Sequence, residues 1–231
     1  MKIYLLLVVI ILSIHQSYPQ SLTGISGMFS IPIATINKDG EFTSGINYIE
    51  RKYLKYANGN RDIINFYVYL NYLPFLEIGL RATRQLNYQG KSHTVDRMFN
   101  FKIKLIEEKK YLPVIAFGMN NPVSTEVNAN HFNSTYLVIT KNIYLSDSTQ
   151  ALNITLGYGS DLIKAADYQF IGFFGGVSYK PFNFMEVMIE YDAERFNSAL
   201  RFTLLNHIKI LAGFMGMKDF SGGVGYSFVL Q

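Results

Sequence analysis

Apolar and polar residues alternate along most of the chain after residue 40, and the alternation is clearest near residue 190. Between Glu186 and Ala193 the odd-numbered positions are apolar, and three of the even-numbered positions are the carboxylates Glu186, Glu190 and Asp192. Residues 195–204 continue the same alternation. A period of two residues indicates β-strands, because successive side chains of a strand point to opposite faces. Each predicted strand therefore has one apolar and one polar face.

The same pattern predicts about twelve strands between residues 41 and 230. Turn-forming residues, such as those in 37–40 and 180–183, separate the strands. Most predicted strands have roughly 8 to 12 residues, and a tilted strand that crosses a bilayer needs about 9 to 11. The predicted strands cover about residues 41–50, 62–72, 76–84, 95–106, 114–120, 130–143, 151–158, 168–179, 187–193, 195–204, 208–214 and 220–230.

The connections between the predicted strands alternate in length. Short connections with Pro74, Pro113 and Pro181 follow the second, fourth and eighth strands, and longer polar ones follow the first, third, fifth and seventh. Outer-membrane barrels have short periplasmic turns, longer external loops and an even number of strands. The sequence therefore predicts an all-β protein, an antiparallel transmembrane β-barrel of about 12 strands with both termini beside the short turns.

Alternation alone also fits a soluble β-sandwich, which buries its apolar face. Three features favour the barrel. The polar faces carry bulky charged residues of both signs, aromatic residues such as Tyr48, Tyr72 and Tyr158 lie near strand ends, and glycines such as Gly79 and Gly118 lie within strands. Charge pairs in a lumen, aromatic girdles at the membrane interfaces and crowded, bent strands would account for these features.

The first residues have the pattern of an export signal. Lys2 precedes an apolar run over residues 3–14, after which the chain becomes polar. The pattern predicts a signal peptide of residues 1–20, cleaved near Gln20–Ser21. Residues 21–40 are expected to form an irregular or briefly helical lead-in at or in the barrel mouth, and residues 41–231 to form the barrel. The expected location is the cell outer membrane.

Composition narrows the possible chemistry. The 231-residue chain contains no cysteine, which excludes disulfides and thiolate metal sites. Its net charge of +4 comes without a dense run of Lys and Arg, so nucleic acid is not an expected partner. His93, His131 and His207 are scattered, and no phosphate-binding loop or nucleophile elbow is present. We therefore expect no metal, no cofactor and no enzymatic activity.

Charged residues of the predicted polar faces form the candidate site, a charge network in the lumen. The set comprises Glu77, Arg81, Asp96, Arg97, Lys102, Glu190, Asp192, Arg195 and Arg201. One interpretation is ion pairing within a narrow barrel, with Glu190 and Asp192 opposite Arg195 and Arg201. The other is a site that contacts sugars or ions, because carboxylates and guanidinium groups bind hydroxyl-rich ligands. Ion pairing is favoured, since barrel interiors are polar.

Six segments carry a resemblance to a known family. They are GISGMFSIPIA (residues 24–34), LPFLEIGLR (73–81), DRMFNFKIKL (96–105), KKYLP (109–113), FFGGVSY (173–179) and EYDAERFNSALRF (190–202). In this order they resemble the YjbH family, exported β-barrel proteins of the Gram-negative outer membrane that are associated with exopolysaccharide production. The chain is similar to a short, single-barrel member.

The resemblance implies a non-enzymatic part in exopolysaccharide export or surface assembly. The partners it implies are outer-membrane lipid, polysaccharide and other export components. An alternative is a structural or docking barrel that binds a periplasmic or surface partner without transport.

Overall fold

A computed structural model describes residues 20–50, 55–56, 59–60, 62–86, 95–123, 131–144 and 151–230. The predicted signal peptide covers residues 1–20. Its residues 1–19 lie outside the described part of the chain, and Gln20 lies inside it. The described residues form strands, turns and irregular segments. They include no helix long and apolar enough to cross a bilayer.

Fourteen strands are present in the described residues. Numbered β1 to β14 along the chain, they are Glu41–Ile49, Lys55–Tyr56, Gly59–Asn60, Ile63–Leu73, Leu76–Gln85, Val95–Ile106, Val114–Asn120, Ser134–Tyr144, Ala151–Ser160, Gly172–Phe182, Met185–Tyr191, Phe196–Leu204, Ile208–Met215 and Asp219–Val229. Strands β2 and β3 pair with each other as a short ribbon. The other twelve form one closed barrel.

The barrel is closed because its first strand, β1, pairs both with β4 and with the last strand, β14. Gly45 on β1 lies opposite Tyr67 on β4 and opposite Gly225 on β14. Every other pair in the barrel joins strands that follow each other in sequence, and all pairs are antiparallel. The prediction of an all-β antiparallel barrel of about twelve strands is therefore confirmed.

Two strands begin about four residues later than the sequence pattern predicted. The segment before β8 includes Phe132 at φ 58°, the segment before β10 includes Phe170 at φ 55°, and Gly172, the first residue of β10, has φ 109°. These left-handed conformations interrupt an extended strand. A parallel bridge between Asn133 and Tyr168 joins the two segments to each other. The residues therefore belong to the connections, although their composition suits a strand.

The barrel has two distinct ends. Connections as short as 74–75 and 183–184 lie at one of them, which we call the turn end. The ribbon β2–β3 and the connection 161–171 lie at the other, the loop end. The Leu230 N–H donates to the Gly40 carbonyl at 2.8 Å, which places the start of β1 and the end of β14 together at the turn end.

The outer and inner surfaces differ in polarity. Exposed apolar side chains surround the middle of the barrel, among them Phe66, Val68, Leu80, Phe99, Leu137, Ile139, Leu156, Val177, Ile189, Leu200, Ile210 and Val224. Leu156 is 65% exposed and Phe173 is 77% exposed. Residues that alternate with them, such as Asn65, Lys102 and Arg201, are buried in the lumen. This distribution is the reverse of that in a water-soluble domain.

Four inward-facing aromatic rings lie over glycines of neighbouring strands. The register pairs are Tyr67 with Gly45, Tyr69 with Gly79, Tyr136 with Gly118, and Phe174 with Gly157. A Cβ added at any of these glycines would lie 2.2–2.3 Å from the nearest ring or hydroxyl atom of its partner. Glycine therefore gives each large ring the space to lie flat along the lumen wall.

Candidate functional site

The lumen is filled by the segment from Gln20 to Asn37, which we call the plug. Every residue of the plug is buried, including Leu22, Ile25 and Phe29. Lys38 and Asp39 are exposed, and Gly40 then leads into β1 at the turn end. The plug therefore enters the barrel from the turn end and remains joined to the first strand.

The plug folds back on itself through short-range backbone hydrogen bonds. The Leu22 N–H donates to the Phe29 carbonyl at 2.7 Å, and the Met28 N–H donates to the Ile31 carbonyl at 2.9 Å. Gly24 adopts a left-handed φ of 90°, and a Cβ at this position would lie 2.5 Å from the Tyr67 ring. Both the turn and the close approach to the wall therefore require glycine there.

A buried ion pair anchors the centre of the plug. Glu77 and Lys102 are register partners on β5 and β6, and Lys102 Nζ lies 2.9 Å from Glu77 Oε2. Ser26 lies between them: its N–H donates to Glu77 Oε1 at 2.7 Å, and its hydroxyl donates to Glu77 Oε2. Lys102 Nζ also donates to the Ser26 carbonyl at 3.0 Å. The wall charges thus neutralise each other and bind the plug backbone.

Glu190 forms a second anchor on the opposite wall. Its carboxylate accepts hydrogen bonds from the N–H groups of Phe29 at 2.9 Å and Ser30 at 2.8 Å. The Ser30 hydroxyl also donates to Glu190 Oε1, and Asn197 Nδ2 donates to the same oxygen at 3.2 Å. The Glu190 carboxylate, which is itself fully buried, therefore accepts hydrogen bonds from successive backbone N–H groups of the plug.

Arg201 forms the third anchor. Its Nη2 donates to the carbonyl oxygens of Gly27 at 3.0 Å and Met28 at 2.7 Å. Its Nη1 forms an ion pair with Glu186, its register partner on β11. Close by, Lys209 Nζ donates to Gln20 Oε1 at 2.8 Å. The planar guanidinium can satisfy a carboxylate and several carbonyls at once, because its donors point in fixed directions.

Neutral wall groups complete the attachment. Asn47 Nδ2 donates to the Leu22 carbonyl at 2.8 Å, and Asn65 Nδ2 donates to the same carbonyl at 3.2 Å. The Ala34 N–H donates to Thr140 Oγ1 at 2.9 Å. These buried wall groups are thus matched with polar groups of the plug, which offsets the cost of removing both from water.

Among the described residues, the buried Asp and Glu side chains are equal in number to the buried Lys and Arg side chains. Four are carboxylates and four are basic groups: Glu41, Glu77, Glu186 and Glu190, with Arg81, Lys102, Arg201 and Lys209. An isolated buried charge is costly, whereas paired and hydrogen-bonded charges are tolerated. The balance therefore fits a lumen that is closed and mostly free of bulk water, rather than a wide aqueous channel.

The predicted charge network is divided between two places. Glu77, Lys102, Glu190 and Arg201 lie in the lumen and contact the plug. Arg81 is also buried there, with its guanidinium 5.5 Å from the centre of the Phe132 ring.

The other four predicted residues do not contact the plug in this way. Asp96 is half-buried near the loop end of β6, and Arg97 is exposed on the outer side of that strand, because its position alternates with that of buried Met98. Asp192 and Arg195 belong to the connection 192–195 at the loop end. Asp192 accepts from the Arg195 N–H at 2.8 Å.

The expected pairing of Glu190 and Asp192 with Arg195 and Arg201 is replaced by other partners. Arg201 pairs with Glu186, and Arg195 lies 3.2 Å from Glu194. Direct register between β11 and β12 places Arg201 opposite Glu186, which is why Glu190 is left to bind the plug.

Several residues of this site were not singled out by the sequence analysis. Glu186 and Lys209 carry the same signal as the predicted set, since both lie at polar positions of alternating strands. Ser26 and Ser30 gave no signal, because their partners are more than fifty positions away in sequence. Only the register of the barrel brings these groups together.

A cavity of about 390 Å³ lies above the plug at the loop end. Leu22, Thr23 and Ser30 of the plug form its floor. Its walls come mainly from the connections 161–171 and 192–195. Among the described residues, no group of three His, Cys, Asp or Glu side chains is arranged to hold a metal ion.

Comparison with protein families identifies the chain. Residues 19–169 match the YjbH family, whose description is exopolysaccharide biosynthesis protein YbjH. The chain belongs to the YjbH family. The matched region includes the plug and the strands from β1 to β9, so it contains the Glu77–Lys102 anchor of this YjbH-family barrel. A search of curated proteins found no significant match.

Proposed function

We propose that this chain is an outer-membrane β-barrel that takes part in the export or surface assembly of an exopolysaccharide, and that it does so without catalysing a reaction. The reversed polarity of the barrel is the observation that carries this proposal. A row of exposed Leu, Ile, Val and Phe side chains around a closed barrel is stable in lipid and aggregates in water. Membership of the YjbH family supports the link to exopolysaccharide.

Aromatic side chains near both ends of the apolar belt support the membrane placement. Tyr158 and Phe173 pack edge-to-face at the loop end, with ring centres 5.0 Å apart. Tyr144 and Phe182 are exposed at the turn end. Aromatic rings are favoured where lipid headgroups meet hydrocarbon. In this proposal the turn end faces the periplasm and the loop end faces the cell exterior.

Membrane fractionation and heat-modifiable gel migration test the placement. We expect the processed chain in the outer-membrane fraction and a folded band that shifts after boiling in detergent. A water-soluble monomer would overturn the proposal. A strain that lacks this chain tests the role, and we expect its exopolysaccharide yield to fall and to recover on complementation.

A second candidate function is a docking barrel that assists assembly without passing polymer through its lumen. The filled lumen favours it, because the plug and the anchors of Glu77, Glu190 and Arg201 occupy the space that a polymer would need. In the first candidate the plug must shift before polymer passes, whereas in the second it stays in place.

A disulfide tether distinguishes the two candidates. The native chain has no cysteine, and Ser30 on the plug contacts Asn197 on β12, with Oγ and Nδ2 3.3 Å apart. The double variant Ser30→Cys, Asn197→Cys would bind the plug to the wall under oxidising conditions. Polymer release that falls on oxidation and recovers with reductant supports transport through the lumen. Release that is unaffected, with the disulfide verified by mass spectrometry, supports docking. The single cysteine variants are the matched controls.

A further inference from the structure

The loop-end cavity has the size and position of a ligand site. Its volume of about 390 Å³ lies within the range of about 300–1,000 Å³ that small-ligand sites occupy. The plug closes it below through Leu22 and Thr23. A ligand therefore reaches it from the loop end only, which in the proposed orientation is the outside of the cell.

The lining combines aromatic surface with hydrogen-bonding groups. Tyr168 provides exposed ring surface, the buried rings of Phe132 and Phe170 complete the apolar part of the lining, and Gln169 and Arg195 provide polar atoms. A glycan presents C–H faces that pack on aromatic rings, and hydroxyl groups that bond to amide, carboxylate and guanidinium groups. The lining therefore suits a hydroxyl-rich ligand better than a purely apolar one.

The charged groups of the lining are mostly acidic. Of the described residues, four carboxylates line the cavity, from Asp161, Asp167, Asp192 and Glu194, together with the guanidinium of Arg195. This arrangement repels anionic ligands and attracts cations, because the Coulomb energy between like charges is unfavourable and that between opposite charges is favourable.

Some of these carboxylates already have partners. Asp167 Oδ2 lies 2.8 Å from His131 Nδ1, and Asp192 accepts from backbone N–H groups of the connection 192–195. These two acids hold the walls in place. Glu194 lies 3.2 Å from Arg195 in an ion pair, but its side chain is 67% exposed, and exposed ion pairs contribute little and exchange partners readily. Asp161 and Glu194 are both exposed, so they are the carboxylates most accessible to a ligand.

We propose that the loop-end cavity binds a segment of glycan that carries free amino groups, and that it discriminates against uronic-acid chains. The inference rests on the proposed function for the presence of glycan at this end. Asp161 and Glu194 bind the ammonium groups, and Tyr168 packs against a sugar face. The plug holds the floor, so the segment is bound at the surface of the barrel rather than within the lumen.

Binding of three tetrasaccharides to the full processed chain in detergent micelles tests this proposal. The probes are a glucosamine tetramer, its N-acetylated neutral form and a galacturonic acid tetramer, each measured by isothermal titration calorimetry. We expect the amino form to bind most tightly, the neutral form more weakly, and the acidic form not to bind. Added salt should reduce the difference in affinity between the amino and the neutral tetramer, since screening weakens exposed charge pairs.

Matched variants locate the site. The double variant Asp161→Asn, Glu194→Gln should weaken binding of the amino tetramer by about fivefold to tenfold, as loss of one or two exposed ion pairs allows. It should leave the neutral tetramer nearly unchanged, whereas Tyr168→Ala should weaken both. Asp39→Asn and Tyr111→Ala, which make the same chemical changes at the turn end, are the controls.

Three results would overturn the proposal: equal or tighter binding of the galacturonic acid tetramer, equal loss of binding in the turn-end controls, or absence of binding for all three tetramers. Heat-modifiable migration and membrane fractionation are measured on the same samples. A chain that passes both tests yet binds no glycan refutes the cavity proposal and leaves the outer-membrane proposal intact.

Discussion

The ring of Tyr136 on β8 lies over Gly118 on β7, its register partner in the barrel wall. A Cβ on residue 118 would lie 2.3 Å from both Cζ and the hydroxyl oxygen of Tyr136. The ring is fully buried and packs edge-to-face near Phe174, which itself lies over Gly157. This part of the lumen is therefore filled by rings that require bare backbone beside them.

Gly118→Ala is expected to destabilise the barrel by about 1–3 kcal/mol, the usual cost of overpacking a close contact. The Tyr136 ring must move, because the added methyl group overlaps it. Urea unfolding in micelles, followed by gel migration, measures the change. The loss of unfolding free energy caused by Gly118→Ala should be smaller when residue 136 is also changed, in the Tyr136→Ala variant, than in the native chain. Equal costs in the two backgrounds would show that the contact has no energetic weight.

Lys102→Met is expected to cost about 3–5 kcal/mol, because it leaves the Glu77 carboxylate buried without its cation. The double variant Glu77→Gln, Lys102→Met should cost less than the sum of the single changes. Unfolding in micelles measures these costs.

The pair of Lys104 and Glu107, in which the carboxylate is 70% exposed, serves as the control for that experiment, and breaking it is expected to cost about 0–1 kcal/mol. Conductance across a planar bilayer gives a second measurement, since a loosened plug should let ions through. An unchanged conductance in a destabilised Lys102→Met barrel would mean that the Glu77–Lys102 pair stabilises the wall and does not hold the plug.

Arg201→Lys keeps the charge but is expected to destabilise the plug. A lysine ammonium cannot reproduce the fixed set of donors that binds Glu186 and the carbonyls of Gly27 and Met28. We expect a loss of about 1.5–3 kcal/mol, the range for one hydrogen bond to a charged group. Protease cleavage within residues 20–37, measured by mass spectrometry, reports on plug release. Arg195→Lys at the loop end is the control and should leave cleavage unchanged.

Leu156→Arg tests the membrane belt. Leu156 is 65% exposed near the middle of β9, and a cation near the bilayer midplane costs about 2–4 kcal/mol. We expect poor folding into lipid vesicles, measured by heat-modifiable migration. Leu162→Arg makes the same change at an exposed position of the loop end and should fold normally. Equal folding of the two variants would contradict insertion of this surface in lipid.

Strand periodicity was sufficient to predict the barrel and the inward direction of most of the predicted charged residues, although Arg97, which was placed in the lumen, lies on the outer side. Glu190 and Arg201 lie inward, as their alternation with apolar neighbours indicates, because a closed barrel preserves that alternation on every strand. The ion-pair partners of these side chains could not be predicted from the same pattern. Whether Arg201 meets Glu186 or Glu190 depends on register, which is set by the turn between β11 and β12.

The structure of the plug was beyond prediction from periodicity. Residues 20–37 have no regular repeat, since their backbone groups are satisfied by wall side chains and by a few irregular bonds within the plug, rather than by the ladder of a regular strand. Ser26 and Ser30 have short side chains in an apolar segment, and their importance appears only when Glu77 and Glu190 lie beside them. Sequence patterns report local periodicity, and these contacts are long-range.

The pairing of β1 with β14 also constrains the order of assembly. The first strand gains its second neighbour only when the last strand of the barrel arrives, so the seam forms from residues nearly two hundred positions apart. The plug precedes β1 and is joined to it by three residues. A wall that curls around this segment before the seam forms encloses it without threading a chain end through a finished ring. The plug is therefore expected to act as an internal template, and its anchors to speed closure as well as to stabilise the completed barrel.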